Sequence, residues 1–294
     1  MMNCDVHRCI AESLSASKGP NGLPKLIHQT WKTAKVPEHW SAAQRSWRGL
    51  HPSWTYVLWT DADIEAYIRA RHGPAWALFE ALPWAIQRVD LWRYFVLRDF
   101  GGLYVDLDIM ATQSVEPYAH LARGSIQLVP SANTPSAFTN ALMLSDTSSL
   151  AHEFWTACIA HVEAYASARS LSFFSAISRH MEIMESTGPL ALTHVAREGR
   201  WPITVLPRVV WNAHDLSVAE HLDEQREPFA ITKLMPGSSW HATDSTVLSF
   251  VHTHKRLLMA LLCLLMAWYI LRSELLRERF KSLRHSFRTK WHNK

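Results

Sequence analysis

The sequence predicts an α/β fold with a mostly parallel central sheet flanked by helices, followed by a C-terminal membrane-associated helical segment. From residue 25 to residue 211, short apolar runs of strand character alternate with longer stretches of helical periodicity. The 15 residues from Leu257 to Leu271 include no charged side chain. No repeat and no linker divides residues 23–246, so we expect one main domain over residues 23–250.

In the N-terminal half, the predicted elements are placed by Pro and Gly residues, which mark their ends, as much as by hydrophobic periodicity. Residues 1–22 lack the apolar core of a signal peptide and are predicted to be a flexible leader. Gly101 and Gly102 are expected to end a helix and turn the chain into a strand. Strands are predicted over 25–31, 55–60 and 103–106. Helices are predicted over 37–50, 61–72 and 84–99, with a short one beginning at Pro74.

The C-terminal half is read in the same way. Strands are predicted over 125–130, 141–145, 203–207 and 209–211. Helices are predicted over 149–168 and 173–185, and another after the turn at 186–190. Residues 212–246 are rich in His, Asp, Ser and Pro, and we expect loops there.

The net charge of +4 is unevenly distributed. Residues 255–294 carry ten Lys and Arg against two Glu, whereas the rest of the chain is net acidic. A basic tail next to an apolar run is typical of contact with anionic lipid headgroups, so the sequence predicts a membrane partner and no nucleic acid. The four cysteines form no C-x-x-C pair, which disfavours a zinc knuckle; Cys263 is expected to be unpaired, and a Cys4–Cys9 bridge stays open.

The apolar run at 255–272 is predicted to be a single membrane segment. As a helix, its 15 uncharged residues would span about 22 Å, less than the ~30 Å of a hydrocarbon core. Flanking Arg256 and Arg272 and the interfacial aromatics Trp268 and Tyr269 would extend its reach. The alternative is a buried core helix. Residues 273–294 have apolar side chains at helical spacing among basic ones, which is typical of a helix lying on a membrane surface. Orientation stays open.

The sequence contains two D-x-D pairs in different settings. Asp61 and Asp63 lie between a strand and an amphipathic helix, so we expect both to cap that helix. Asp106 and Asp108 end an apolar strand, and no helix begins there. Residues two apart on an extended chain point to the same side, so these two carboxylates are predicted to converge at the sheet edge where α/β proteins bind ligands.

Paired carboxylates at a sheet edge suit a hard cation. Oxygen ligands favour Mg²⁺ or Mn²⁺, with phosphate oxygens and waters completing the coordination. Just upstream, Asp90 and Arg93 are three residues apart on one predicted helix face, among large apolar residues. We expect this pair to hold sugar hydroxyls at the same edge; the alternative is a surface ion pair of little energetic value.

The residues around these motifs resemble glycosyltransferase family 32, which includes the yeast initiating α-1,6-mannosyltransferase and the mannosyl-inositol-phosphorylceramide synthases. The segments that carry the resemblance are VDLWRYFVLRDFGGLYVDLDI (89–109), PKLIHQTWK (24–32), HPSWTYVLWTD (51–61), STGP (186–189) and GSSWHATD (237–244). The resemblance implies a GT-A type nucleotide-sugar-binding fold, a nucleotide-sugar donor, dependence on Mn²⁺ (or Mg²⁺) and retention of configuration at the anomeric carbon.

The same resemblance implies a role for each matched residue. The metal ligands would be Asp106, Asp108 and His241. The catalytic residues would be Asp90, Asp106 and Asp108. Donor binding would fall to His28, Gln29, Thr30 and Trp31 at the nucleotide end, to Asp90, Arg93, Tyr94 and Asp106 at the sugar and phosphate, and to Ser239 and Trp240 over the diphosphate.

STGP and SSWH, together with the C-terminal apolar run, favour the sphingolipid branch of this family. The expected reaction is transfer of mannose from GDP-mannose to inositol-phosphorylceramide, in the Golgi or another endomembrane. No covalent nucleophile is identifiable, which favours front-face displacement. Two alternatives stay open: a hexosyltransferase acting on glycoprotein glycans or another acceptor, and a non-catalytic sugar- or lipid-binding membrane protein of the same fold.

Overall fold

A computed structural model describes residues 22–116, 126–131, 136–168, 179–199, 201–207 and 232–234, together with the short stretches 254, 264–266, 268–269 and 272. The chain divides into two compact units, Met1–Trp240 and His241–Lys294. The regular elements below belong to the first unit.

The described part of the first unit contains strands and helices in the predicted alternation. The strands are β1 (Leu26–Thr30), β2 (Thr55–Trp59), β3 (Gly102–Val105), β4 (Ile109–Ala111), β5 (Ile126–Pro130), β6 (Phe138–Ser145), β7 (Ile203–Val205) and β8 (Thr232–Leu234). The helices are α1 (Glu38–Leu50), α2 (Asp61–Arg71), α3 (Trp76–Ala81), α4 (Ala85–Phe100), α5 (Ser149–Ser167), α6 (Arg179–Ser186) and α7 (Pro189–Glu198).

A six-stranded sheet in the order β2-β1-β3-β6-β5-β7 forms the centre of this unit. Only β6 runs against the direction of the other five strands of this sheet. A separate antiparallel pair joins β4 to β8. The prediction of an α/β fold with a mostly parallel central sheet is therefore confirmed for the described residues.

Helices cover both faces of the sheet. Successive residues of a strand point to opposite faces, so two neighbouring residues of β1 show what packs on each face. Leu26 packs into one apolar cluster with side chains of α2, α4, α5 and α7. Its neighbour Ile27 packs into a second cluster, which includes Trp47 of α1. The ends of β1 and β3 lie between these two layers, and the site described below is built there.

Gly101 and Gly102 end α4 and begin β3, as predicted. Their φ angles are +61° and +87°, a region that side chains with a Cβ rarely adopt. Space is also restricted, since a Cβ on Gly102 would lie 2.7 Å from the backbone oxygen of Leu26. The glycine pair therefore allows the chain to pass from α4 directly into a strand beside β1.

Substitution of Gly102 by alanine is expected to lower the free energy of unfolding by about 2–3 kcal/mol. The cost of the strained φ angle and the cost of the backbone clash both contribute to this loss. Urea-induced unfolding of wild type and variant measures the difference. Gly49→Ala in α1 is the matched control: a Cβ there meets nothing within 4 Å, so the stability should be unchanged or slightly higher. Equal stabilities of Gly102→Ala and wild type would show that this account of the turn is wrong.

The structure corrects three predictions. The strand predicted over 103–106 ends at Val105, so Asp106 lies beyond it. Residues 212–246 were predicted to be loops, yet 232–234 form β8, because β4 offers them a pairing edge. Asp61 and Asp63 do not both cap α2. The N-cap is Thr60, whose hydroxyl accepts from the N–H of Asp63, and the Asp63 carboxylate accepts from the N–H of Thr60; Asp61 is the first helical residue.

Several predictions fall outside the described residues. These are the leader over 1–21, the helix start at 173–178, the strand at 209–211, the amphipathic tail over 273–294, and Cys4, Cys9 and Cys263. The described Cys158 is buried and unpaired.

The second unit is described only at a few positions of the apolar run and at residue 254. Leu264, Leu265, Met266, Trp268 and Tyr269 have helical backbone, and each side chain is more than half exposed. The guanidinium of Arg272 lies 5.1 Å from the ring centroid of Trp268. Among the residues that the structure describes, no helix has the length and apolar character needed to span a bilayer. Most of 255–272 lies outside those residues.

Candidate active site

Helix α4 places a buried ion pair at the carboxyl edge of the sheet. Asp90 and Arg93 are 3% and 2% exposed, and Nη2 of Arg93 lies 3.0 Å from Oδ1 of Asp90. Asp90 and Arg93 therefore form a buried ion pair at the predicted i, i+3 spacing, and the alternative of a surface ion pair is wrong. Burial of two charges is costly unless further partners compensate.

Further partners of Arg93 come from the neighbouring strands. Its Nη1 donates to the backbone oxygen of Asn140 at 2.6 Å and lies 3.5 Å from Oδ1 of Asp106. The guanidinium also lies 4.4 Å from the ring centroid of Tyr104. Its Nε–H is buried and has no hydrogen-bond partner within the described ranges. Arg93 thus links Asp90 to the first carboxylate of the D-x-D motif.

Asp106 and Asp108 lie in a tight turn between β3 and β4. The N–H of Ile109 donates to the oxygen of Asp106 at 3.1 Å, which closes the turn. The argument that placed both side chains on one side of an extended strand was therefore wrong. The strand pairing ends within Asp106. Its N–H still donates to the backbone oxygen of Ala141 in β6 at 2.8 Å, whereas its own backbone oxygen accepts from Ile109 in the turn.

Side chains from three elements fix this turn. Gln29 of β1 donates from Nε2 to the backbone oxygen of Asp106 at 3.2 Å, and the hydroxyl of Tyr56 donates to Oε1 of Gln29 at 2.8 Å. The hydroxyl of Tyr104 donates to Oδ1 of Asp106 at 2.5 Å. On the far side of the turn, Nε1 of Trp47 donates to the oxygen of Ile109 at 2.7 Å. The position of the two carboxylates is thereby set by bonds from β1, β3 and α1.

The turn suits a divalent cation by its charge and its donor atoms. Oδ1 of Asp106 is engaged by Tyr104 and Arg93, and the side chain is 33% exposed. Burial, and then the neighbouring charge of Asp106, raise the pKa of Asp108 to about 7. A cation between the two would relieve that repulsion, and carboxylate oxygens suit Mg²⁺ or Mn²⁺.

In the described parts of the chain, no three His, Cys, Asp or Glu side chains converge on one point. A cation held by Asp106 and Asp108 would therefore take its remaining ligands from outside these residues, from water or from a bound ligand. Ser239, Trp240 and His241, predicted to close over the diphosphate, lie outside the described residues.

Asp90 is held by two further donors besides Arg93. Nδ2 of Asn140 donates to its Oδ1 at 3.1 Å, and the hydroxyl of Thr187 donates to its Oδ2 at 3.0 Å. Burial raises the pKa of Asp90 to about 7, and the charge of Arg93 with these donors offsets part of the rise. Tyr94 does not reach the carboxylate; its hydroxyl donates to the backbone oxygen of Thr187 at 2.6 Å.

The four residues predicted at the nucleotide end occupy the end of β1 and the position after it. His28 is fully buried: its Nε2 lies 3.1 Å from the oxygen of Gly101, and its Nδ1 accepts from Nε1 of Trp59 at 3.2 Å. Thr30 donates to the oxygen of Trp59 at 3.0 Å. Trp31 is half-buried, with its ring edge-on to Trp40 at 5.1 Å between centroids. Contact of these residues with a nucleotide stays a prediction.

The buried ring of His28 should make folding stability depend on pH. Burial lowers its pKa from 6.5 to about 4, so the unfolded chain binds a proton that the folded chain does not bind between these values. The free energy of unfolding should therefore decrease by about 3 kcal/mol as the pH falls from about 6.5 to about 4. His28→Gln, which keeps one donor and one acceptor, should remove that contribution.

The measurement is urea-induced unfolding of wild type and His28→Gln between pH 7.5 and pH 4.5. His152→Gln on the exposed face of α5 is the control, and its curve should parallel that of the wild type. If the His28→Gln curve also runs parallel to the wild type over this range, the ring is not held neutral by burial.

Three site residues lacked a usable signal in the sequence. Asn140 sits within a strand whose other residues are apolar or small, and it reaches Asp90 from 50 positions away. Tyr56 acts through Gln29, and Tyr104 is one aromatic among many in the core. The strand predicted from the sequence began only at residue 141, so Asn140 was not marked as a buried amide in need of partners.

Comparison with known proteins finds similarity to glycosyltransferases. Residues 37–123 match the family model described as the glycosyltransferase sugar-binding region containing DXD motif. Inositol phosphoceramide mannosyltransferase 3 of Schizosaccharomyces pombe is 30% identical over 233 residues, which cover 79% of this chain and 60% of that protein. Mannosyl phosphorylinositol ceramide synthase CSH1 of Saccharomyces cerevisiae is 30% identical over 236 residues, which cover 80% and 57%.

The chain thus spans less than two thirds of the length of these relatives. Among solved structures, the PaToxG glycosyltransferase gives a TM-score of 0.42 at 15% identity, over 66% of this chain and 75% of that one, a likeness too low to support an argument.

These findings confirm the resemblance drawn from the sequence, because residues 37–123 match the model of a DXD-motif sugar-binding region and relatives at 30% identity align with about four fifths of this chain. The relatives that align with about four fifths of it are, by their names, enzymes of inositol phosphoceramide mannosylation. The matched residues include both D-x-D pairs, and the assignment of the family's motif to Asp106 and Asp108 stays a prediction.

Proposed function

We propose that this chain is a retaining, metal-dependent glycosyltransferase of GT-A type that transfers mannose from GDP-mannose to inositol-phosphorylceramide. The observation that carries the proposal is the buried contact between Arg93, Asp90 and Asp106, which joins the predicted sugar-binding pair to the D-x-D turn. The names of the relatives supply the sugar and the acceptor.

The donor would lie across the ends of β1 and β3. Trp31, which is half-buried next to the end of β1, would stack on the base. Arg93 has a buried Nε–H without a partner in the described ranges, which is a donor available to a sugar or phosphate oxygen. Arginine suits this position because its planar fork bonds to several oxygens at once.

Asp106 and Asp108 would hold Mn²⁺ or Mg²⁺. When bound there, the cation supplies Lewis-acid stabilisation of the departing nucleoside diphosphate. The protein's own part is to keep the two carboxylates in place, through Tyr104 and Gln29, and to present them at a point that the diphosphate can reach.

Transfer would proceed by front-face displacement. A hydroxyl oxygen of the acceptor's inositol forms the bond to the anomeric carbon while the bond from that carbon to the diphosphate breaks on the same face. The hydroxyl proton passes to a phosphate oxygen. Positive charge develops on the sugar, and Asp90 and Asp106 would be the carboxylates that stabilise it.

The acceptor would be reached at a Golgi or other endomembrane surface. The exposed Leu264, Leu265, Met266, Trp268 and Tyr269 support lipid contact, since an apolar cluster with aromatic residues suits the membrane interface. The basic residues of 273–294 would add attraction to anionic headgroups.

A donor and acceptor panel tests the proposal. Purified chain is incubated with Mn²⁺, with GDP-mannose, GDP-fucose, UDP-glucose or UDP-galactose, and with either inositol-phosphorylceramide vesicles or a mannose-rich glycopeptide; mass spectrometry detects hexose addition. Addition to the lipid from GDP-mannose supports the proposal. Addition only to the glycopeptide supports the glycoprotein alternative, and addition to neither acceptor from any donor supports the non-catalytic one.

A further inference from the structure

Three separate parts of the chain hold the carboxylate of Asp90. On its own helix, Nη2 of Arg93 lies 3.0 Å from Oδ1. From β6, Nδ2 of Asn140 donates to the same oxygen at 3.1 Å. From the turn between α6 and α7, the hydroxyl of Thr187 donates to Oδ2 at 3.0 Å. All four side chains are buried, so water competes little for these bonds.

Arg93 alone does not satisfy this carboxylate, because its guanidinium is shared. Nη1 donates to the backbone oxygen of Asn140 at 2.6 Å and faces Asp106 at 3.5 Å. A buried carboxylate short of donors is costly, and added donors both stabilise its charge and fix the plane of its oxygens. The side chains of Asn140 and Thr187 therefore decide how Asp90, and through it Arg93, is oriented.

The Thr187 hydroxyl is itself held in place. The hydroxyl of Tyr94 donates to the backbone oxygen of Thr187 at 2.6 Å, and Nε2 of Gln87 donates to the hydroxyl of Ser186 at 2.8 Å. One face of α4 thus anchors the turn that bonds to Asp90. Neither Asn140 nor Thr187 bonds to Asp106 or to a residue of the predicted nucleotide end through any described contact, so both act on the site through the Asp90–Arg93 pair.

We propose that Asn140 and Thr187 are positioning residues for the donor sugar, which orient the Asp90–Arg93 pair and leave nucleotide binding unaffected. The inference rests on the proposed function, because it takes that pair to hold the sugar of the donor. It adds two residues, from β6 and from the α6–α7 turn, to a site whose other parts come from β1, α4 and β3.

The test separates sugar recognition from nucleotide recognition. Calorimetric titrations with GDP-mannose and with GDP, both with Mn²⁺, give two dissociation constants for each protein, and kcat/KM for GDP-mannose is measured in parallel. The variants are Thr187→Val, which removes only the hydroxyl, Thr187→Ser, which restores it, and Asn140→Ala. Ser145→Ala is the matched control: its buried hydroxyl on β6 accepts from Nε1 of Trp155 at 2.8 Å, outside the Asp90 cluster.

Thr187→Val and Asn140→Ala are each expected to lower kcat/KM about tenfold or more and to weaken GDP-mannose binding, as loss of a hydrogen bond to a charged group does. GDP binding should stay within about twofold of the wild type in both. Thr187→Ser and Ser145→Ala should keep kcat/KM within about twofold.

Unchanged kcat/KM in Thr187→Val and Asn140→Ala would overturn the inference alone. The same holds if GDP and GDP-mannose affinities fall by one common factor, because that result indicates a general structural role. A wild type that neither binds nor uses GDP-mannose would overturn the proposed function, and the inference would fall with it.

Discussion

Replacement of Asp108 by asparagine is expected to reduce mannose transfer by about a hundredfold to a thousandfold, the scale of removing one preorganised electrostatic group. The shape of the side chain is kept, but one of the two charges that would hold the cation is lost. Folding should not suffer, because burial and Asp106 already disfavour the charge on Asp108. Steady-state transfer assays and thermal unfolding measure the two effects side by side.

The second D-x-D pair supplies the control for this prediction. Asp63→Asn alters the capping box of α2 and should cost at most about 1 kcal/mol of stability, with kcat/KM within about twofold of the wild type. If Asp108→Asn kept its activity while Asp63→Asn lost it, the assignment of the two pairs would have to be reversed.

Arg93→Lys is expected to be damaging although the charge is conserved. The guanidinium contacts Asp90, the oxygen of Asn140 and Asp106 at once, and a single ammonium cannot reach all three. A buried charge left without its partner costs about 3 kcal/mol or more. We expect stability to fall by that amount and transfer by about a hundredfold, because the sugar end of the site loses its main donor.

Urea-induced unfolding and kcat/KM for GDP-mannose measure both effects of Arg93→Lys. Arg88→Lys is the matched control, since Arg88 lies on the same helix and is half-exposed; its stability should stay within about 0.5 kcal/mol of the wild type. If Arg93→Lys kept the stability and activity of this control, the three contacts of Arg93 would contribute little to folding or to transfer.

Local signals predicted α4 and β3 to within a residue. The helix has a strong apolar pattern, and Gly101 and Gly102 mark its end because only glycine suits their φ angles. The end of β3 was misplaced because it depends on a distant contact. The N–H of Asp106 still donates to Ala141 of β6, but its backbone oxygen accepts a backbone hydrogen bond within the turn. The pairing of β4 with β8 also joins residues that are far apart in sequence. Each of these strands has only three residues, which is too short for a recognisable sequence pattern.

The site shows the same division between local and distant information. The spacing of Asp90 and Arg93 predicted that they meet, and the structure shows the contact at 3.0 Å. Asn140 and Thr187 reach Asp90 from 50 and 97 positions away, so no local pattern could connect them to it. The metal-binding role of Asp106 and Asp108 stays a prediction, and the backbone that carries them is a turn and not the predicted strand.

The most direct test of the central claim is the conversion of inositol-phosphorylceramide by the wild-type chain with GDP-mannose, followed by mass spectrometry with Mn²⁺ present and with the metal chelated. The account predicts lipid carrying one added hexose, formed with release of GDP, only when the metal is present, and restored when Mn²⁺ is added back. Formation of the same product at an equal rate under chelation would contradict it.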